Sequence, residues 1–113
     1  MRILVCGSRD WPDADMIRHI LEQQPAGSVI VHGGARGADQ MAGNIAKGLG
    51  FAVEEYPADW QRNGRAAGYM RNKQMVDSKP DLVLAFSYRS SKGTAHTIDL
   101  ARQAGIKARV FTI

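Results

Sequence analysis

At 113 residues the chain has room for one domain and no second, and its 44% hydrophobic and 23% charged residues exclude a disordered polymer. The single cysteine, Cys6, excludes an internal disulfide and a cysteine-based zinc cage, and no apolar run approaches the roughly 18 residues of a membrane span. A net charge of +4 favours anionic partners such as nucleotides, nucleic acids or phosphorylated metabolites, although a solvated basic surface accounts for it equally well.

The first predicted element is a strand over Ile3–Cys6, too short and too quickly followed by Gly7 to be a secretion signal. A helix over Asp13–Gln24 follows, with Met16, Ile17, Ile20 and Leu21 on one face, Asp13 as cap, and Pro25 and Gly27 as its stop. Val29–His32 is the second strand, and Ala38–Leu49 the second helix, with Met41, Ala42, Ile45, Ala46 and Leu49 inward. The third strand is Phe51–Val53, and a long polar connection from Tyr56 to Gly64 leads to a helix over Arg65–Ser78, ended by Pro80. Ala66, Ala67, Met70, Met75 and Val76 make its apolar face, a less regular one than the others. Leu82–Phe86 is the fourth strand, a helix from a Thr94 cap to Ala104 buries Ile98 and Ala101, and Ala108–Phe111 is the fifth strand. Gly105 suits the left-handed stop between the last two.

Strands that read as continuous apolar runs are covered on both faces, and their alternation with helices calls for parallel pairing through right-handed crossovers. The fold expected is α/β: a Rossmann-like three-layer sandwich with a five-stranded parallel sheet and helices on both faces, one domain over 1–113. In such sheets ligands collect outside the carboxyl ends of the strands, where strand order reverses.

The strand-to-helix connections carry the candidate chemistry. In the first, Gly7 permits a turn close to a ligand and Ser8 and Arg9 suit an anion, while a plain tight turn with an exposed arginine reads as well. The second, His32 to Asp39, is the strongest signal. Gly33, Gly34 and Gly37 allow positive φ and close approach, the helix that follows offers free N–H groups, and Arg36 adds charge. It is neither a Walker loop, lacking Gly-Lys-Ser/Thr, nor the G-x-G-x-x-G dinucleotide fingerprint. Asp39 reads as a helix N-terminal residue that also suits a ligand hydroxyl.

In the third connection Trp60 suits stacking on a base and Asp59 a ribose hydroxyl, with packing of Trp60 on a helix or subunit as the competing reading. The fourth, Ser87 to Thr94, repeats the logic of the second with hydroxyls, two cations and a glycine; Ser91, Gly93 and Thr94 are its candidates. Arg71 and Asn72, on the third long helix, are candidates to point back toward the pocket. Cys6 reads as a small core hydrophobe. His32 reads as a pocket wall or as a satisfied structural histidine. His19 and His96 have no partner at metal-ligand spacing, so no metal site, no cofactor and no nucleophile triad is implied.

The motifs at Gly7 to Arg9, His32 to Asp39, Pro57 to Trp60, Ala67 to Asn72 and Gly93 to Ala95 resemble, in order and over nearly the whole chain, the small SLOG-type proteins. These are the YspA/YpsA-related domains, in the superfamily of DprA/Smf and the LOG "lysine decarboxylase-like" proteins. The resemblance implies a Rossmann-like sheet that binds nucleotides or nucleotide-derived molecules, often within a dimer; the expected cytoplasmic location comes instead from the lone cysteine and the missing signal and membrane segments. LOG proteins cleave nucleoside monophosphates to base and ribose phosphate with a Gly-Gly-x-Gly-Thr-x-x-Glu stretch and a helical arginine. Arg71 matches that arginine and Gly93 and Thr94 match the Gly-Thr, but Thr97 stands where the glutamate belongs. A threonine supplies no carboxylate to stabilise an oxocarbenium-like ribose or activate water, and Asp99 is roughly 200° away around the helix.

Three readings follow: a binding module for a nucleotide-type small molecule, an enzyme cleaving a nucleotide N-glycosidic or phosphate ester bond with Asp39 or Asp59, and a single-strand nucleic-acid binder. The last ranks lowest, because aromatic residues are only 7% and the basic ones are scattered. A homo-oligomer is the expected assembly and no membrane partner is expected.

Overall fold

In the computed structural model, which describes residues 1–113, five strands alternate with helices: β1 (Arg2–Gly7), α1 (Ala14–Glu22), β2 (Val29–His32), α2 (Ala38–Gly48), β3 (Ala52–Glu55), α3 (Trp60–Asn63), α4 (Ala67–Asp77), β4 (Leu82–Ser87), α5 (Lys92–Gln103) and β5 (Lys107–Thr112). All neighbouring strands pair in parallel, in the order β3-β2-β1-β4-β5. The parallel α/β sheet read from the sequence is the sheet observed.

Alternation along the central strands explains why they are apolar throughout. Ile3 and Val5 of β1, with Ile30, Leu84 and Phe86, bury against Ile17 and Leu21 of α1 and Ala42 and Ala46 of α2. Leu4 and Cys6 point the other way, with Val31, Val83 and Ala85, against Met75 and Val76 of α4 and Ala101 of α5. Two cores therefore share one sheet. Trp11 seals the first: its ring meets Phe86 edge-on at 5.4 Å and its indole N–H donates to the Asp13 carbonyl at 2.7 Å.

Asp13 caps α1 as expected, accepting from the Met16 N–H at 3.1 Å, and Gly105 takes its left-handed stop at φ 75°. Two expectations need correction. The connection from Tyr56 to Gly64 is not all loop: Asp59 accepts from the Arg62 N–H at 3.1 Å and starts the short α3, which a 3-10 turn over Gly64–Ala66 joins to α4. The cap of α5 is Ser91 rather than Thr94, because Ser91 holds the extended backbone a cap requires (φ −131°, ψ 109°) while Thr94 already lies in the first turn. No helix is long and apolar enough to cross a membrane.

After β3 the chain crosses back over β2 and β1 to place β4 on the far side of β1. The strand order reverses there, so the carboxyl ends of β1 and β4 flank a crevice.

Candidate functional site

The turn after β1 is built for closeness. The Ser8 N–H donates to the Phe86 carbonyl at 2.9 Å, its hydroxyl oxygen accepts from the Tyr88 N–H at 2.8 Å, and its carbonyl accepts from the Ala38 N–H at 3.2 Å. Ser8 thus binds β1, the β4–α5 turn and α2 together. At Gly7 a Cβ would lie 2.5 Å from both the Ala38 Cβ and the Phe86 carbonyl oxygen. Gly37 has φ 85°, and a Cβ there would run into the Arg9 carbonyl. These glycines let three backbones meet.

The glycine loop after β2 folds onto its own acid. The Gly33 and Ala35 N–H groups donate to Asp39 Oδ2 at 3.0 and 3.4 Å, and the Gly34 N–H donates to His32 Nδ1 at 3.0 Å. Asp39 therefore fills the nest that an external anion would otherwise find. Burial, which leaves Asp39 5% exposed, pushes its carboxyl up to about 6; the Ala35 and Gly33 N–H groups and Arg71 pull it down, and Glu55 adds to the rise. Because His32 Nδ1 accepts, its ring proton sits on Nε2, against Gly43, where a Cβ would lie 2.5 Å away. Burial lowers the His32 pKa, and the ring serves as a lock inside the loop. Arg36, in contrast, is exposed, and lies 3.5 Å from an exposed Asp10, a pairing worth little in water.

Arg71 and Asn72 cross the crevice. Arg71 donates through Nη1 to the Gly33 carbonyl and through Nε to Asn72 Oδ1 at 3.0 Å. Asn72 Nδ2 in turn reaches the Gly93 carbonyl at 3.4 Å and His96 Nδ1 at 3.3 Å. Half-burial lowers the Arg71 pKa and the Asp39 charge opposes that shift. The glycine loop and the first turn of α5 are thereby held at fixed separation by two adjacent helical residues.

The turn after β4 is more open. Arg89 adopts φ 59° with its guanidinium 4.9 Å from the centre of the Tyr88 ring. The Ser91 hydroxyl lies 2.8 Å from that of Thr94 and 3.4 Å from its N–H, and a Cβ on Gly93 would meet nothing within 4 Å. Thr97, at the position where the resemblance expects a glutamate, is buried and donates its hydroxyl to the Gly93 carbonyl at 3.1 Å.

These turns enclose a cavity of about 420 Å³ at the carboxyl ends of β1 and β4. Of the residues singled out in the sequence, Gly7, Ser8, Arg9, Asp39, Arg71, Asn72, Ser91, Gly93 and Thr94 line it. Gly33, Gly34, Arg36 and Trp60 line an adjoining hollow of about 300 Å³, which Arg9 and Arg71 share with the cavity. Gly37 stands behind the loop as the α2 cap, and Asp59 lines neither space, its carboxylate being the α3 cap. The cavity rim also holds Arg89, Ser90 and Lys92, the two cations and one hydroxyl of the Ser87–Thr94 turn singled out in the sequence, whereas Asp10 on the rim and Glu55 in the hollow were missed. Their signal was positional: Glu55 ends β3 and Asp10 lies in the turn after β1, both at the sheet's carboxyl edge. Cys6 and Met75 form part of the cavity wall, and burial holds the Cys6 thiol far above its ordinary range. No group of three or more His, Cys, Asp or Glu side chains is placed to hold a metal ion.

A family model described as "YspA, cpYpsA-related SLOG family" matches residues 1–63. The chain is 44% identical over 114 residues to the Gene 61 protein of Mycobacterium phage D29, covering 93% of this chain and 91% of that one. Among solved structures it is similar to DNA processing protein A (DprA) from Streptococcus pneumoniae, with a TM-score of 0.63 and 15% identity over 96% of this chain. The chain spans 58% of the DprA chain, and at that identity the likeness is one of fold alone.

Proposed function

The chain belongs to the YspA, cpYpsA-related SLOG family, and from that premise we propose that it binds a nucleotide or nucleotide-derived small molecule in the crevice between β1 and β4. One observation carries the reading: the cavity at the strand-order reversal brings Arg9, Arg71, Arg89 and Lys92 around the open N-terminus of α5. Only Asp10 and Asp39 oppose them, and Asp39 is already engaged with backbone N–H groups. A phosphoryl group there meets the first-turn N–H groups of α5, the positive end of its dipole, the Ser90 and Ser91 hydroxyls and the guanidinium groups. A volume of about 420 Å³ is in the range of small-molecule sites.

The glycine loop takes a different part in this reading. Its Gly33 and Ala35 N–H groups answer to Asp39 and that of Gly34 to His32, so in this reading it supplies a wall and the Gly33 carbonyl that orients Arg71, while the serine-rich turn supplies the phosphate contacts. Calorimetry with mononucleotides, ADP-ribose, NAD, cyclic nucleotides and a short oligonucleotide tests it. Binding by a small ligand, weakened tenfold or more in Arg71→Ala, is the expected outcome. Uniform absence of heat from a protein folded by circular dichroism would end the proposal.

A second reading, cleavage of a nucleotide N-glycosidic bond, is favoured by one feature only. Asp39 lines the cavity with its carboxyl pushed up to about 6, a suitable value for a general acid–base. Release of free base from nucleoside monophosphates, abolished in Asp39→Asn, is its test, and no turnover at high enzyme concentration removes it.

A further inference from the structure

We propose that the hollow between the glycine loop and α3 is a second subsite for the same ligand, one that takes a nucleobase presenting N–H donors, with Glu55 as acceptor and Trp60 as stacking face. The inference rests on the nucleotide reading and narrows it to a base with two adjacent donors on one edge, as guanine has at N1 and its 2-amino group.

Two neighbouring glutamates on β3 meet different surroundings. Glu54 faces the α4 side, where Arg2 holds it with two bonds of 2.8 and 2.9 Å. Glu55 faces the other side, beside the glycine loop, and its carboxylate makes no hydrogen bond or ion pair with any residue of the chain. It does so in a hollow that Arg9, Arg36 and Arg71 also line. Backbone geometry brings it there: His32 and Glu55 are register partners at the carboxyl ends of β2 and β3, and Gly34, at φ 74°, leaves the space that the Glu55 carboxylate approaches. A Cβ on Gly34 would lie 2.7 Å from Glu55 Oε1.

A carboxylate accepts hydrogen bonds and donates none, so in a cavity otherwise suited to anions it selects the part of a ligand that offers donors. Trp60 stands on the same hollow as Glu55. It is 54% exposed, and a Cβ on Gly68 of α4 would lie 3.5 Å from its Cη2. An exposed indole favours a flat ring over a sugar, since a base has a π-face to stack on it. The hollow and the main cavity meet at Arg9 and Arg71, so one molecule can place its phosphate at α5 and its base at Trp60. Asp59, the other acid of this region, is turned into the α3 cap and leaves Glu55 as the acceptor.

Calorimetry on the full chain with GMP, IMP, ribose 5-phosphate and inorganic pyrophosphate decides it. The wild type is expected to bind GMP at least tenfold more tightly than ribose 5-phosphate, with IMP, which lacks the 2-amino donor, between them. Glu55→Gln and Trp60→Ala, both at exposed positions, should erase that preference and leave ribose 5-phosphate binding unchanged. Equal binding of GMP and ribose 5-phosphate by the wild type, or a preference that survives both substitutions, overturns the subsite and leaves the nucleotide reading standing. If none of the four ligands binds, the subsite falls, and the nucleotide reading falls with it only when the wider panel of nucleotides fails as well.

Discussion

The turns after β2 and β4 look alike as text: each is rich in glycine or hydroxyls, carries cations and opens a helix. In three dimensions they are opposites. The β2 turn closes on itself, its Gly33, Gly34 and Ala35 N–H groups taken by Asp39 and His32. The β4 turn leaves the first N–H groups of α5 facing a cavity, with Ser91 as a cap and Gly93 in open space. Glycine content reports how closely backbones must approach. A ligand seat is recognised by polar groups that the chain itself does not use.

The largest effect that tests this contrast is at Gly37. Its φ of 85° and ψ of −126° suit glycine alone, and a Cβ would collide with the Arg9 carbonyl. Gly37→Ala should lower stability by about 3 kcal/mol or more, measured by urea unfolding. A loss within about 0.5 kcal/mol of zero, the range of an ordinary surface change, would mean that the two loops do not meet as described.

Asp39 gives the next largest effect, and its sign is specific. A buried acid whose pKa is raised when folded holds more protons folded than unfolded, so stability falls as pH rises. The window runs from the ordinary 3.8 to about 6, and the full change is about 3 kcal/mol. The wild type should therefore gain on Asp39→Asn by that order as pH is lowered from 7 to 4, in denaturant titrations at each pH. His32, with its lowered pKa, acts in the opposite direction below its ordinary 6.5, but it is present in both proteins and leaves the difference between them unaffected. Parallel profiles would show that Asp39 is not buried as a charge.

How much of this was readable beforehand follows the same division. Strands β1, β2 and β4 are marked by apolar runs that only a doubly covered strand tolerates, and β2 falls on Val29–His32 as expected. The Asp13 cap and the Gly105 stop are short-range chemistry, fixed by residues within a turn of each other. Helix α3 was hidden because four residues give no periodicity, and the Trp60–Asn63 segment is polar apart from its tryptophan. Arg71 and Asn72 could be picked out, but not their grip on Gly33 and Gly93, since those partners are 38 and 21 residues away. Glu55 could not be told from Glu54 in the sequence. Only the side of the sheet each one faces, and the Arg2 that waits on one side, separates them.

Smaller effects lie on the β4 turn. Ser91→Ala removes the α5 cap and should cost about 1 kcal/mol, seen as a lower urea midpoint at unchanged slope. No change in midpoint would mean that Thr94 replaces it as the cap.

Gly93→Ala is the smallest change in energy and the most discriminating. Gly93 lies in the first turn of α5, has no positive φ, and would place a methyl group in open space. Alanine there should stabilise the helix by up to about 1 kcal/mol, the reverse of the outcome at Gly37. The same methyl group stands on the cavity wall, where a phosphate approaching the N–H groups of α5 needs the backbone bare. A protein that becomes more stable while its affinity for inorganic pyrophosphate falls would separate the two kinds of glycine in one experiment. Higher stability with undiminished affinity would move the phosphate seat away from α5 and back toward Arg9 and the glycine loop.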